Sequence, residues 1–427
     1  MSAADLMLIV GAGQAGATAA ATLRTLGHRG QIVIVGDELH RPYERPPLSK
    51  AVLGDATVDE KISIHPPDFH SENGIDLRLG VSVRSLDPTH SIAHLSDGQS
   101  VLFSRCLLAT GGAVRPLSLL PPGTPRVHYL RTLDDARALR NAMGAERSVV
   151  VLGGGFLGLE MASTARGLGL AVTVIESAPR VLARALPPEM SQWLQQRVRA
   201  AGVDLRLDSP VRSIEIQDEG IALTLVDGDR LFAPLIVVAV GQQPRVDLAQ
   251  AAGIELHPSQ GGIRVDAQGR TSVPTVYAAG DCASQLQPLA GEELRLESWQ
   301  SANEQARVAA ASMLGVPAEP AALPWFWTDL FDCNVQMLGL PVPGLTYIAR
   351  GETAANNGAR PKFMLLGLSG LTLRHAIAVN AGGELRSLRE LIERGTPCDP
   401  SRLQDTNLAL RQVVRDAIAD ATPNLTR

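Results

Sequence analysis

Two stretches of this 427-residue sequence carry glycines at a spacing that can do chemistry. Gly11-Ala12-Gly13-Gln14-Ala15-Gly16 follows the apolar run Leu6 to Val10 and opens an alanine-rich segment to about Leu26. A further apolar run, Ile32 to Val35, ends at Gly36-Asp37. The same arrangement recurs: Val149 to Leu152, then Gly153-Gly154-Gly155-Phe156-Leu157-Gly158, a helical segment to about Leu168, and Ala171 to Ile175 ending at Glu176. Each glycine has its own task in such a unit. The first permits the tight strand-to-helix turn, the second lets a dinucleotide pyrophosphate approach the backbone, and the third lets helix and strand pack closely, with the phosphates at the helix N-terminus. The acid ending the second strand accepts hydrogen bonds from ribose hydroxyls, and both acids lie a little beyond the expected spacing of about 20 residues. One such hexapeptide marks an ordinary turn about as readily as a binding site. Its duplication is far more specific and implies two dinucleotides, which suits a tightly held FAD and a diffusible nicotinamide nucleotide.

The elements that must position these groups follow from the apolar pattern. After Asp37 comes a loop, Arg41 to Lys50, too rich in proline to start as helix. Leu77 to Leu79, Ser82 to Leu86, Ser91 to Leu95 and Ser100 to Phe103 read as short antiparallel strands, with Asp97-Gly98 as a hairpin turn. Leu107 to Ala109 form a buried strand running into Thr110-Gly111-Gly112, and Leu120 to Pro125 is a linker. The second glycine unit closes with strands at Arg212 to Ile216, Ile221 to Val226 and Leu235 to Val240, followed by Gly241-Gln242-Gln243-Pro244. Thr275 to Ala279 is another strand, and Gly280-Asp281 follows it. There the carboxylate either caps a helix or reaches the ribityl hydroxyls of a flavin. A helix from about Ala302 to Leu314 and a second linker, Gly315 to Pro324, lead into a compact α+β tail of strands and two helical stretches. The fold class is α/β: two Rossmann-like dinucleotide-binding domains plus a C-terminal α+β domain.

Composition narrows the function classes. With 45% hydrophobic and 19% charged residues the chain is globular, and its length suits two or three domains. A net charge of −5 gives no blanket attraction for nucleic acid or anionic lipid, and neither is an expected partner. No signal peptide is expected, since Met1 to Asp5 has no basic segment and the glycine turn interrupts the apolar run behind it, and no membrane span, since the longest apolar candidate, Leu235 to Val240, is strand-sized. Four cysteines, at 106, 282, 333 and 398, form no C-x-x-C and no metal spacing, which fits ordinary thiols in a reducing cytoplasm and no metal site.

The combination of Gly11 to Gly16, Arg45-Pro46-Pro47-Leu48-Ser49-Lys50, Ala109-Thr110-Gly111, Tyr129-Leu130-Arg131-Thr132-Leu133, Gly153 to Glu160, Ala279-Gly280-Asp281, Glu297-Ser298-Trp299 and Pro324-Trp325-Phe326-Trp327 resembles the FAD-dependent ferredoxin reductases of bacterial oxygenase systems, and it covers nearly the whole chain. Those flavoproteins serve Rieske-type aromatic-ring dioxygenases and, in the putidaredoxin-reductase branch, cytochromes P450. The resemblance implies a glutathione-reductase-like architecture, with an FAD domain (1–112 and 244–320) split by an NAD domain (113–243) and followed by a C-terminal domain (321–427). It implies non-covalent FAD contacting Gly11, Gly13, Ala15, Gly16, Asp37, Arg45, Lys50, Val83, Ala109, Thr110, Gly111, Arg131, Asp281 and Trp299. NADH would meet Gly153, Gly155, Phe156, Gly158, Glu160, Glu176, Arg184 and Gly241. The family pattern also places Lys50 and Glu160 together near flavin N5 as the catalytic groups. There the lysine favours electron density building on the reduced ring and the carboxylate limits its desolvation cost. The reaction implied is hydride transfer from NADH to N5, then single-electron delivery to an acidic, Rieske-type [2Fe–2S] ferredoxin that feeds an oxygenase, in a cytoplasmic monomer or homodimer.

The residues bear on this in three ways. Between Gly36 and Gly54 there is no cysteine, so electrons cannot pass to a dithiol beside the flavin as they do in disulfide reductases of this fold. Glu176 would repel the 2′-phosphate of NADPH, although Arg180 or Arg184 could receive it. A net-negative chain that docks an acidic ferredoxin must also gather its cations locally, and Arg374, Arg386 and Arg389 of the tail are candidates. The sequence departs from the family at Leu330-Phe331, where a glutamine-tyrosine pair is common, and at Gly241-Gln242-Gln243-Pro244. Other acceptors (oxygen, rubredoxin, a quinone, monodehydroascorbate) and an NADH-sensing role like that of apoptosis-inducing factor stay open at this point.

Overall fold

The computed structural model describes residues 5–318, 322–353 and 360–421. Met1 to Ala4 of the expected leaderless N-terminus, and Glu319 to Ala321 of the expected second linker, lie outside the described residues. The chain forms two compact units. The first comprises the described residues up to Arg115, of Arg131–Asp134 and of Gln242–Ala322; the second comprises those of Pro116–Leu130, Asp135–Gly241 and Leu323–Arg427.

In the first unit, Met7–Val10 lies at the centre of a parallel sheet. Ile32–Gly36 and then Ile75–Leu79 lie on one side of it, and Arg105–Leu108 and then Val276–Ala278 on the other. Met7–Val10 and Ile32–Gly36 read as unbroken apolar runs because both faces are covered. Leu8, Val10, Val33, Val35, Cys106 and Leu108 enter one core cluster, while Met7, Ile9, Ile32, Ile34 and Leu107 enter the other. The alternation is that of strand geometry, with successive side chains on opposite faces. The second cluster is roofed by two helices, Gln14–Thr25 and Trp299–Met313, that meet through small residues including Ala19, Ala20, Ala306 and Ala309. Asn303 locks the pair: its Oδ1 accepts from Thr18 Oγ1 at 2.7 Å and from Gln14 Nε2 at 3.0 Å.

The second unit repeats the plan. Ser148–Leu152 is central, with Ala171–Ile175 and Val203–Arg206 on one side and Ile236–Val238 and Val127–His128 on the other, all parallel. The tail belongs to this unit. Its sheet is antiparallel, in the order Trp325–Leu330, Cys333–Gly339, Thr372–Val379, Phe363–Ser369 and Thr346–Gly351.

Two expectations are corrected. Leu77 to Leu79 belongs to Ile75–Leu79, which pairs in parallel with Ile32–Gly36 rather than with the antiparallel group Val83–Asp87, Ile92–Leu95 and Ser100–Leu102. The apolar/polar alternation of Ile-Asp-Leu-Arg-Leu reports one buried face at a sheet edge and says nothing about the direction of the neighbour. The proline loop is also not wholly irregular. Pro46–Ser49 forms a single 3-10 turn, because proline at the first positions of a helix gives up only an N–H that would have no helical partner. The Asp97-Gly98 hairpin turn is present, with Gly98 at φ +86°. The helices Leu133–Ala145 and Pro188–Ala200 carried no expectation.

Candidate functional site: two glycine cradles and the groups around them

Each parallel sheet has a glycine cradle at the carboxyl end of its central strand, where strand order reverses and open α/β sheets bind their ligands. In the first unit, Gly11 takes φ +117°, and a Cβ there would lie 2.1 Å from the carbonyl oxygen of Ala109. A Cβ on Gly16 would lie 2.0 Å from the carbonyl oxygen of Gly11. Neither position tolerates a side chain. Gly13 differs: it caps the Gln14–Thr25 helix, and a Cβ there would meet nothing within 4 Å. Its face is open, as the approach of a pyrophosphate to helix N–H groups requires. The second unit matches it closely. Gly153 sits at φ +112°, 2.4 Å from the Ala239 carbonyl oxygen by the same measure, Gly158 would clash at 2.0 Å with that of Gly153, and Gly155 caps Phe156–Gly167 with open space before it. The cradles therefore fit two dinucleotides, FAD and NADH.

Around the first cradle the polar groups are held in place. Asp281 follows Val276–Ala278 and Gly280, and its Oδ2 accepts from Arg131 at 3.2 Å and from Gln242 at 3.3 Å. Arg131 also donates to Gln242 Oε1 at 2.8 Å. Burial, and after it the neighbouring Arg45, hold the Arg131 guanidinium below its usual range. Arg45 donates to Glu38 at 2.6 Å and to the Arg131 carbonyl, while Tyr43 donates to Glu38 and accepts from the Leu133 N–H at 2.9 Å. The proline loop is thereby pinned to Arg131–Asp134. For Arg45, burial lowers the pKa, but Tyr43 and Glu38 outweigh it and the net shift is upward. Lys50 ends this loop, its Nζ 3.5 Å from the Pro46 carbonyl oxygen. Asp37 is half exposed and bonded to Arg245 at 2.7 Å. The Thr110 hydroxyl donates to the Arg245 carbonyl at 2.6 Å, Gly111 takes φ +67°, Ala15 lies against Gly280, and Trp299 is the first residue of its helix behind the cap Ser298. Val83 is half-buried against the core beneath. Glu38, Tyr43 and Gln242 were not expected as site groups. Glu38 was masked by the adjacent Asp37, and Gln242 was noted only as a departure from the family.

In the second cradle Glu176 uses both carboxylate oxygens on the backbone, accepting from the Gly154 N–H at 2.6 Å and the Ala178 N–H at 2.8 Å. Arg180 is committed elsewhere: it donates to the Leu186 carbonyl, the Ser191 hydroxyl and the Ala183 carbonyl at 2.6, 2.8 and 2.6 Å. It closes the loop after Glu176, with three of its five donors engaged there. Arg184, at the exposed part of that loop, remains. Gly241 takes φ +109° beyond Ile236–Val238. Phe156 packs on Phe326 with ring centroids 4.6 Å apart, and Glu160 is buried, accepting from the Thr328 hydroxyl at 2.6 Å. Lys50 lies in the first unit and Glu160 in the second. All four cysteines are buried and unpaired, and burial pushes every thiol up, to about 12 at Cys333, so none is poised as a nucleophile. Among the described residues no helix is long and apolar enough to cross a membrane.

Two Rossmann-like units, each with a complete cradle, followed by an antiparallel tail, define a flavin- and nicotinamide-dependent oxidoreductase. Residues 6–306 match the pyridine nucleotide-disulphide oxidoreductase family and 325–414 the reductase C-terminal family, and the chain belongs to the former with the latter as its tail. It is 39% identical to the anthranilate 1,2-dioxygenase system ferredoxin–NAD(+) reductase component of Burkholderia cepacia, over 96% of this chain and 99% of that protein. It is 35% identical to putidaredoxin reductase of Pseudomonas putida, over 98% and 99%. The solved structure of the covalent putidaredoxin reductase–putidaredoxin complex superposes with a TM-score of 0.92 at 35% identity, covering 98% of this chain and all of that one.

Proposed function

We propose that this chain is the NADH-dependent, FAD-containing reductase of an oxygenase system, taking electrons from NADH and passing them to a ferredoxin. The observation that carries this is the duplicated cradle, with Gly13 and Gly155 open and the flanking glycines closed, in a chain whose four thiols are all buried. FAD, when bound, supplies the chemistry: it accepts a hydride and releases its electrons one at a time. The residues bind and orient. Gly11, Gly13, Ala15 and Gly16 cradle the pyrophosphate, and Asp37 faces the ribose. Asp281, fixed by Arg131 and Gln242, offers its other oxygen to the ribityl hydroxyls. Arg45 holds the loop that ends in Lys50; Val83, Ala109, Thr110, Gly111 and Trp299 line the remainder. For NADH, Gly153, Gly155, Phe156, Gly158 and Gly241 form the bed, Glu176 discriminates against a 2′-phosphate and Arg184 faces the ribose edge. Lys50 and Glu160 serve hydride transfer. We further propose an FAD domain of 1–112 and 244–320, an NAD domain of 113–243 and a C-terminal domain of 321–427, in a cytoplasmic monomer or homodimer.

The partner read here is an acidic, Rieske-type [2Fe–2S] ferredoxin, with Arg374, Arg386 and Arg389 as candidate docking cations. Relatives named as ferredoxin–NAD(+) reductase components of dioxygenase systems support a ferredoxin as the partner. The test is NADH-driven cytochrome c reduction, which should rise steeply on adding the ferredoxin and fall with salt. A rate independent of ferredoxin, matched by rapid peroxide formation from oxygen, would favour an oxidase instead.

A further inference from the structure

In the second unit the helix behind the open glycine meets the first strand of the tail in step at two positions, and the turn after that strand at a third. Phe156 packs on Phe326, Glu160 accepts from the Thr328 hydroxyl at 2.6 Å, and Ser163 Oγ accepts from the Phe331 N–H at 2.7 Å. The spacing explains the match. Four residues of helix advance about 6 Å and two residues of strand about 6.7 Å, so positions 156 and 160 come opposite 326 and 328 with little slip. Phe331, at φ +55° in the tight turn after the strand, closes the register at the far end. Thr328 is fully buried and paired in the sheet with Val335, and Glu160 is 8% exposed. A carboxylate this sheltered is costly without donors, and a hydroxyl aimed at one of its oxygens both stabilises it and selects one rotamer.

We propose that Thr328 is a positioning residue for Glu160: the first strand of the tail, through this one hydroxyl, sets the orientation of the carboxylate on the helix that opens the nicotinamide-nucleotide cradle. The tail domain thereby has a role in hydride transfer besides any in docking a partner. The inference rests on the reading of Glu160 as a group that serves hydride transfer, given above.

The test uses holoenzyme carrying Thr328→Val, which keeps the shape and removes the hydroxyl, Thr328→Ser, which restores it, and Glu160→Gln. Two quantities are read: the rate of flavin bleaching on anaerobic rapid mixing with NADH, and the midpoint potential of the bound flavin. Thr328→Val should slow bleaching about tenfold, the worth of one charge-assisted hydrogen bond expressed as a rate ratio. It should also move the potential in the same sense as Glu160→Gln. Thr328→Ser should return both to the parent values, and the Thr328→Val/Glu160→Gln double variant should be no slower than Glu160→Gln alone. If Glu160→Gln changes both quantities while Thr328→Val changes neither, the positioning role is wrong and Glu160 keeps its own. If Glu160→Gln changes neither, the reading of Glu160 falls first and this inference with it. Thr328→Ala removes the same hydroxyl and repeats the test should the valine variant not accumulate.

Discussion

Gly155 and Gly158 stand one helical turn apart in the second cradle, and the structure predicts opposite consequences for the same change. Alanine at Gly158 would put its methyl 2.0 Å from the Gly153 carbonyl oxygen, a backbone atom that cannot swing aside. Relieving the contact means moving the start of the Phe156–Gly167 helix by about 1 Å, and overpacking of this kind costs about 1–3 kcal/mol or more. At about 2–4 °C per kcal/mol for a domain of this size, the thermal midpoint should fall by about 2–12 °C. Alanine at Gly155 meets nothing within 4 Å, and φ −79° with ψ −178° is ordinary extended backbone. A gain of about 0.4–1 kcal/mol from a less flexible unfolded chain opposes about 0.5–1 kcal/mol lost at a helix cap, so the midpoint should hold. The new methyl nevertheless stands where a pyrophosphate must approach the helix N–H groups. Losing one charge-assisted hydrogen bond at about 1.5–3 kcal/mol weakens NADH binding by about tenfold to a hundredfold. Calorimetric titration with NAD+ and thermal unfolding of the holoenzyme separate the two effects. A Gly155→Ala protein that binds NAD+ like the parent would refute the assignment of the open face to the nucleotide, and one that melts as early as Gly158→Ala would refute the open space at that position.

Other outcomes follow from single contacts. Glu176→Ala should narrow the preference for NADH over NADPH in steady-state kcat/KM, and Arg184→Ala added to it should weaken NADPH selectively, because Arg180 is already engaged with Leu186, Ser191 and Ala183. An unchanged cofactor ratio in Glu176→Ala would show that the carboxylate, tied to Gly154 and Ala178, does not read the ribose. Asp281→Ala should lower the flavin content of purified protein, and denaturing the parent should release FAD into solution; full flavin occupancy in the variant would remove Asp281 from the site. His375, 1% exposed and bonded through Nδ1 to the Tyr347 hydroxyl at 2.8 Å, is lowered by burial to about 4. Between pH 6.5 and about 4 the unfolded chain binds the extra proton, so stability falls as pH drops through that window, by about 3 kcal/mol in full. His375→Leu should flatten that part of the melting-temperature profile, and an unflattened slope would place the acid sensitivity elsewhere.

What the sequence showed and what it hid divide along contact range. The cradles were legible because every demand in them is local: Gly16 must clear Gly11, five residues away, and Gly158 must clear Gly153. Asp281 stands out as a candidate for the same reason, lying directly after a strand and a glycine. The groups that aim it were not, since Arg131 and Gln242 reach it from distant parts of the chain and nothing in their neighbourhoods marks them as its partners. Arg180 shows the converse error. Beside an acid at a strand end, an arginine looks like a phosphate receptor, and only the closed loop reveals that it already holds two carbonyls and a hydroxyl. Thr328 is the limiting case: a threonine in an apolar strand is an ordinary β-former by every local rule. Its partner is 168 positions away, and only the shared step of about 6 Å between helix and strand brings the two together. A local pattern can say which residues are able to bind a nucleotide, but the hydroxyl that meets Glu160 comes from the tail strand packed against its helix.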